Sequence, residues 1–319
     1  MERQLPPREN WTLVTEFVLV SFTGIQEAWL PLFAFFLIMY LLTLMENGIL
    51  VLVVATEKRL HTPMYFFLIH LSFLDIWYTS LTVPKMLAGF GYPAGQKISY
   101  SACLTQLYLF TFLGSTQCFL LAAMAYDRYV AICIPLRYHE IVDRNTCLVL
   151  AIGSWLTGFL TPVLPVFFMS QLAFCGPNVI DHFFCDASPL LVLSCTDISL
   201  KESIDFLVSL LVLLISSLVI LISYVHIIIT VLRINSLIGR QRAFSTCTAH
   251  LMVVAVFYGT LFFMYVRIKV TSSINLNKVV SVFYAIVTPV LNPLIYSLRN
   301  TEVKTALCRI ISKKKPLVM

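Results

Sequence analysis

Seven stretches of this chain are each long and apolar enough to cross a hydrocarbon core of about 30 Å, which takes about 20 residues of helix. They run over Leu30–Ala55, Tyr65–Leu87, Ser101–Ile132, Cys147–Phe168, Ile204–Leu232, Ala243–Val266 and Val279–Leu298. The runs are continuously apolar and lack the polar alternation of barrel strands, so helices that satisfy their own backbone groups are expected. Composition agrees: 59% of the 319 residues are hydrophobic and only 12% are charged, and the mean hydropathy of +0.88 excludes a soluble domain. The fold class expected is an all-α membrane protein, a seven-transmembrane helix bundle.

The net charge of +6 does not point to nucleic acid, because the basic residues lie between apolar segments and no polar domain exists to carry a basic face. Membrane lipid is the partner they suit. Lysine and arginine counts place the amino terminus outside, with 14 of the 22 basic residues on the inner side. The tripeptide Asn10-Trp11-Thr12 is a glycan acceptor that works only on the lumenal side, and it supports the same orientation. The residues before Leu30 include Glu16 and Glu27 and hold no uninterrupted apolar core, so the first span is expected to act as its own insertion signal. The chain therefore divides into an extracellular segment 1–29, a helix bundle 30–298 and a cytoplasmic tail 299–319.

With that topology Cys103, Cys175, Cys185 and Cys195 fall on the oxidising side, where four cysteines allow three pairings. Inner connections are read as about ten to fifteen residues, whereas the outer segment from Met169 to Ser203 is long, holds three of those cysteines and carries Lys201 as its one basic residue. It is expected to fold as a lid. Beyond the last span, Val303, Leu307, Ile310 and Ile311 share one helical face with basic residues elsewhere, which reads as a short amphipathic helix on the inner membrane surface.

One span end is too polar for lipid. In "MAYDRYVAICIPLRY", Met124 to Tyr138, Asp127 and Arg128 are adjacent and point about 100° apart, so their pairing is expected to be imperfect and one of them open to a partner. This stretch resembles the signature of olfactory receptors within the rhodopsin-like G-protein-coupled receptors. So do "HTPMYFFLIHLSFLD" from His61, "FSTCTAHL" from Phe244 and "PVLNPLIYSLRN" from Pro289, in the same order and separated by the same numbers of spans.

The resemblance implies roles for matching residues. The arginine matching Arg128, with Asp127 and Tyr129 beside it, is held in the bundle at rest; it is uncovered when the sixth helix swings outward, and then contacts a heterotrimeric G protein. Tyr224 and Tyr296 match tyrosines that support the open state, and Pro293 frees a carbonyl near Tyr296. Disulfides Cys103–Cys185 and Cys175–Cys195 are implied, the second closing a loop of about 20 residues worth on the order of 3 kcal/mol. A metal at His182 is not expected, because the disulfide consumes the neighbouring thiol of Cys185. The family's stimulatory, cAMP-raising signalling and plasma-membrane location follow from the same resemblance.

Counting turns outward from Arg128 puts Phe110, Thr111, Gly114 and Ser115 on one inward face. Tyr258, Leu261, Phe262 and Tyr265 from the sixth helix, Val208, Ser209 and Val212 from the fifth, and Val282 and Ala285 from the seventh complete the expected lining. It is apolar with a few hydroxyls and no buried charge, which suits a small, neutral or weakly polar volatile odorant. No cofactor is expected beyond a weakly held sodium ion at Asp75. The resemblance pairs Asp75 with a glutamate, yet this chain has Gln117 there, and losing one carboxylate weakens a hard-cation site. Glu46, beside Asn47, is a second acid in the first span.

Other functions lack their parts. No phosphate loop, zinc-protease helix or nucleophile elbow points to an enzyme. A transporter or channel could use Glu46, Asp75, His226 and His250 as a polar pathway, and a receptor of the same fold for another ligand is the third reading. Signalling without current or transported substrate separates them.

Overall fold

The structure is a computed structural model and describes residues 14–20, 29–91, 95–175, 177–268, 278, 280–299, 303, 305 and 306. The first three spans are the helices Trp29–Thr56, Pro63–Gly89 and Tyr100–Cys133. The fourth is split into Arg144–Leu160 and Val163–Ser170, the fifth is Ser199–Arg233 and the sixth Leu237–Ile268. A π-helical turn, Phe283–Val287, runs into Thr288–Arg299 to make the seventh. Five of these helices pass on length and hydropathy alone as membrane spans, and shorter apolar helices over Cys247–Leu261 and Val280–Tyr296 occupy the sixth and seventh.

Local chemistry sets the helix ends. Ser99 caps the third span by accepting from the Ala102 N–H at 3.3 Å, and Asp143 caps the fourth by accepting from the Thr146 N–H at 2.8 Å. Pro63 opens the second span, where its missing N–H costs nothing. Pro162 breaks the fourth, because a proline ring cannot continue the ladder.

The third span is the axis of the bundle and buries most of its length, while the fifth shows lipid a row of leucines and isoleucines including Leu210, Leu214, Leu218 and Ile222. At Gly158 the fourth span meets the third backbone to backbone: a Cβ there would stand 2.8 Å from the Thr116 nitrogen. Small residues permit such approach inside membranes.

Two expectations are corrected. The helices run past the hydrocarbon, so only residues 234–236 join the fifth span to the sixth instead of ten. Most of the difference lies in the sixth, which begins at Leu237 instead of Ala243; its added first turn and a half, with Gly239, Arg240 and Arg242, carries little apolar signal. The long segment from Met169 is likewise partly helical at both ends, with Met169 and Ser170 in the fourth span and Ser199 to Ser203 in the fifth. Between them it folds over one end of the bundle, carrying the helix Ala187–Val192 capped by the Asp186 carboxylate.

That end also carries a three-stranded sheet. The strand β1 (Glu16–Leu19) lies between β2 (Gln96–Ser99), antiparallel with Glu16 opposite Ser99, and β3 (Val179–Ile180), parallel with Val18 opposite Val179. Gly95 turns the chain into β2 at φ +94°, where a side chain would also strike Val18. Phe17, Leu19, Ile98, Met169, Phe174, Ile180 and Leu190 form a small core of their own beneath the sheet. Cys103 is bonded to Cys185 and Cys175 to Cys195, with Cα separations of 5.4 and 5.9 Å. Asn10 lies outside the described residues. Of the terminal amphipathic face only Val303 is described, and it is buried, as is Ala306.

Candidate functional site

Near the sheet end the predicted lining residues converge from different spans. Phe110, Ser115, Val212 and Ala285 are buried, and Thr111, Gly114, Val208, Ser209, Tyr258, Leu261 and Val282 are half-buried. The side chains of Phe262 and Tyr265 lie outside the described residues. Thr111 returns its hydroxyl to the Leu107 carbonyl at 3.0 Å, which leaves its methyl group as the apolar surface. The Tyr258 hydroxyl is buried without a well-formed hydrogen bond, beside the Cys118 thiol and the Ser216 hydroxyl. A buried hydroxyl in that condition is a group that a ligand's carbonyl or hydroxyl can engage.

The sequence reading missed the aromatic wall. Phe110 packs against Tyr78 at 4.6 Å, Phe184 at 4.6 Å and Tyr284 at 5.4 Å between ring centroids. Phe184 comes from the long loop, so the expected lid reaches the bundle interior. Tyr284 sits in the π turn, whose extra residue shifts the side chains of the seventh span around its axis. Tyr78 stands beside Gly114. Above the wall, His182 is buried, stacked on Phe183 at 4.7 Å, with its Nε2 3.2 Å from the Ser281 hydroxyl. Burial, and then the charge of Lys278, hold that imidazole down at about 3. Lys278 pairs with Asp181 and reaches the Val20 carbonyl at 3.4 Å, which joins the seventh span, the loop and the amino-terminal strand. Asp186 is pushed up to about 6, chiefly by burial, with Asp205 adding to the rise.

A lateral groove of about 590 Å³ between the second, third and fourth spans is lined by Phe66, Phe112, Trp155 and their neighbours. None of the predicted lining residues belongs to it.

At the opposite end the Asp127–Arg128 expectation is corrected. The pair does form: Arg128 folds back so that its Nε donates to Asp127 Oδ2 at 2.9 Å and Nη2 reaches the same oxygen. The long stem of arginine spans the 100° that separates the two Cα–Cβ bonds. Tyr138 from the following loop donates to Asp127 Oδ1 at 2.7 Å, and its own hydroxyl proton is held more tightly by burial and by that carboxylate. Asp127 is 1% exposed and Arg128 8%, so a charged pair is kept inside by mutual hydrogen bonding. Tyr129 points the other way, edge-on to His226 at 5.6 Å.

Tyr224 is engaged. Its hydroxyl lies 2.6 Å from His250 Nδ1, the rings are stacked at 14°, and His250 Nε2 donates to the Leu121 carbonyl at 3.1 Å. One imidazole thus ties the fifth, sixth and third spans, a role the sequence did not reveal because Tyr224 and His250 stand 26 positions apart. Arg240 caps the fifth span from the sixth, donating to Ile234 and Leu232 carbonyls at 2.7 and 3.1 Å. Tyr296 is buried, and its hydroxyl makes no hydrogen bond.

Between the two ends, Asn292 donates to both oxygens of buried Asp75, at 3.1 and 3.0 Å. The carbonyl that Pro293 frees is that of Pro289, and Asn47 from the first span donates to it at 3.3 Å. The Gln117 amide nitrogen is buried without a partner, as is one oxygen of Glu46. Among the described residues no group of three His, Cys, Asp or Glu side chains could hold a metal ion.

The family model described as "Olfactory receptor" matches residues 36–314. The chain is 66% identical over 308 residues to olfactory receptor 6Q1 of Homo sapiens, covering 96% of this chain and 97% of that protein. It is 51% identical over 299 residues to olfactory receptor 6B1 of Homo sapiens, covering 94% and 95%. To olfactory receptor 6B9 of Mus musculus it is 48% identical over 304 residues, covering 95% and 96%.

Proposed function

This chain belongs to the olfactory receptor family, a family of multi-pass membrane receptors and not of enzymes, and from that premise we propose that it binds a small, mostly apolar volatile molecule near the sheet end and activates a heterotrimeric G protein at the Arg128 end. The partner G protein is of the stimulatory, cAMP-raising type, and the receptor stands in the plasma membrane with its amino terminus, including the Asn10 glycan, outside. Residues 1–29, the bundle 30–298 and the tail 299–319 form one receptor unit.

The observation that carries this reading is the division of chemistry between the ends. Near the sheet end, aromatic and aliphatic walls surround the Tyr258, Ser216 and Ser115 hydroxyls, which favours a neutral ligand with one polar atom. At the other end the bundle holds back a paired arginine and a tyrosine already committed to His250. Outward movement of the sixth span breaks the His250 contacts, frees Tyr224 to turn toward Arg128, and opens the space between the third, fifth and sixth spans to a G-protein helix. Asp127, Arg128, Tyr129, Tyr224 and Tyr296 form that switch.

Sodium fits this interior poorly. Both oxygens of Asp75 already accept from Asn292, and Gln117 supplies an amide where a second carboxylate would balance the ion.

The test is a panel of volatile compounds applied to cells expressing the receptor, with cAMP as the readout. A ligand of about a dozen heavy atoms gaining roughly 0.5 kcal/mol per atom binds at tens of micromolar. Tyr258→Phe and Ser115→Ala should change which compounds work more than they change basal output. If both variants keep the parent's response profile, the ligand binds elsewhere.

A further inference from the structure

Gln106 lies on the third span one turn beyond Cys103 and is only 6% exposed. A buried amide needs partners for both its halves, and it finds them in two other segments. Its Nε2 donates to the Leu81 carbonyl of the second span at 2.8 Å, and its Oε1 accepts from the Cys185 N–H of the long loop at 3.0 Å. Pro84, inside the same helix, removes the donor to the Ser80 carbonyl next to Leu81 and loosens the ladder there. The two partners also fix the orientation of the amide, since a carbonyl can only accept and a backbone N–H can only donate.

The Cys185 N–H belongs to the peptide group that joins Phe184 to Cys185. The disulfide to Cys103 tethers the Cys185 side chain but leaves torsions free along the bridge. Gln106 holds the backbone itself, from the same face of the third span as Cys103, because residues three apart are neighbours on a helix. Two fixings of different kinds therefore act on one residue. The ring carried by the held peptide is that of Phe184, fully buried and 4.6 Å from Phe110.

We infer that Gln106 is the positioning residue that sets Phe184 as the roof of the ligand site, and so tunes ligand selectivity without touching the ligand. This rests on the assignment of Phe110 to that site. Losing the bond lets the Phe184–Cys185 peptide rotate about the disulfide, moves the roof ring relative to Phe110, and changes which molecular shapes fit beneath it.

The experiment measures backbone hydrogen exchange in peptides spanning Phe183 to Asp186 of the purified full-length receptor, alongside the volatile-panel profile in cells. Gln106→Met keeps the length and loses both bonds; Gln106→Glu keeps an acceptor for the Cys185 amide. The Met variant is expected to exchange several-fold to about tenfold faster at Cys185 and to reorder the panel. The Glu variant is expected to stay within about twofold of the parent in exchange. Parental exchange in Gln106→Met, or accelerated exchange in Gln106→Glu, overturns the inference; where the Met variant does not fold, the Glu variant decides alone. Phe110→Ala separates this inference from its premise. If Phe110→Ala leaves the panel unchanged, the site itself is misassigned. If it reorders the panel while Gln106→Met does not, Gln106 has no part in selectivity.

Discussion

At the sheet end, segments far apart in sequence are joined by backbone ladders and covalent bonds: Asn178 donates to the Glu16 carbonyl across 162 positions, and two disulfides fasten the loop that Asn178 belongs to. At the Arg128 end, helices are joined by single side-chain hydrogen bonds: Tyr224 to His250, His250 to the Leu121 carbonyl, and Arg240 to the last carbonyls of the fifth span. The first kind of join is lost only with the whole loop. The second can be exchanged one bond at a time, each worth about 0.5–1.5 kcal/mol net. A receptor needs both, because a ligand can shift an equilibrium only as far as its differential affinity allows. A few weak bonds lie within that reach and a disulfide does not.

The largest effect expected on this contrast is from Cys185→Ser. Removing the bridge to Cys103 should cost about 2–5 kcal/mol, and flow cytometry of an epitope-tagged receptor should find it retained in the cell, with no ligand response. Normal delivery would mean that the ladders and Gln106 suffice to hold the loop.

Arg128→Ala should instead leave delivery and ligand binding near parental and abolish the cAMP response, because it removes the contact proposed to meet the G protein and nothing at the sheet end. Normal signalling from this variant would remove Arg128 from the switch.

Smaller is the effect of His250→Phe, which keeps the stacked ring opposite Tyr224 and loses its bonds to Tyr224 and Leu121. Ligand-independent cAMP should rise about two- to tenfold per bond lost, converting 0.5–1.5 kcal/mol at 1.4 kcal/mol per decade. A fall in basal output would show that these bonds hold the active arrangement instead.

The subtlest test uses pH at the sheet end, read as thermal stability or loop hydrogen exchange. His182 is ordinarily protonated below about 6.5, yet in the docked loop it stays neutral down to about 3, so docking weakens as pH falls through that window. Asp186 behaves oppositely. Docked, with Lys201 and Asp205 beside it, it takes up its proton below about 6, whereas a free aspartate waits until 3.8, so docking strengthens on acidification between those values. Each group acts by at most about 1.4 kcal/mol per pH unit, and in the parent the two oppose one another below about 6. His182→Gln should reveal docking that tightens in acid, and Asp186→Asn docking that loosens. Identical slopes in both variants would place the pH response outside this loop.

The seven spans and the unusual character of Asp127 and Arg128 could be read from the chain, because hydrophobic length and a polar pair in an apolar run are local properties that survive without any partner. The predicted lining residues whose side chains are described are buried or half-buried, since an inward face is a matter of helical period. The same reasoning could not see the join of the fifth and sixth spans at residues 234–236, because helix that continues beyond the hydrocarbon is polar and looks like loop.

What only the tertiary structure decided are the pairings between elements. Pro293 advertises a freed carbonyl in the sequence, but not that Asn47 would serve it, and nothing near Gln106 announces the Leu81 carbonyl as its partner. Tyr224 and His250 read separately as a resembling tyrosine and a stray polar group, and become one device only when the fifth and sixth spans lie side by side. Phe184 is an ordinary loop aromatic until the bond of Cys185 to Cys103 and to Gln106 brings it onto Phe110. Hydropathy fixes which residues must leave water. The choice of partner for each buried polar group depends on which helix packs against which, and that is settled by the packing of the whole bundle.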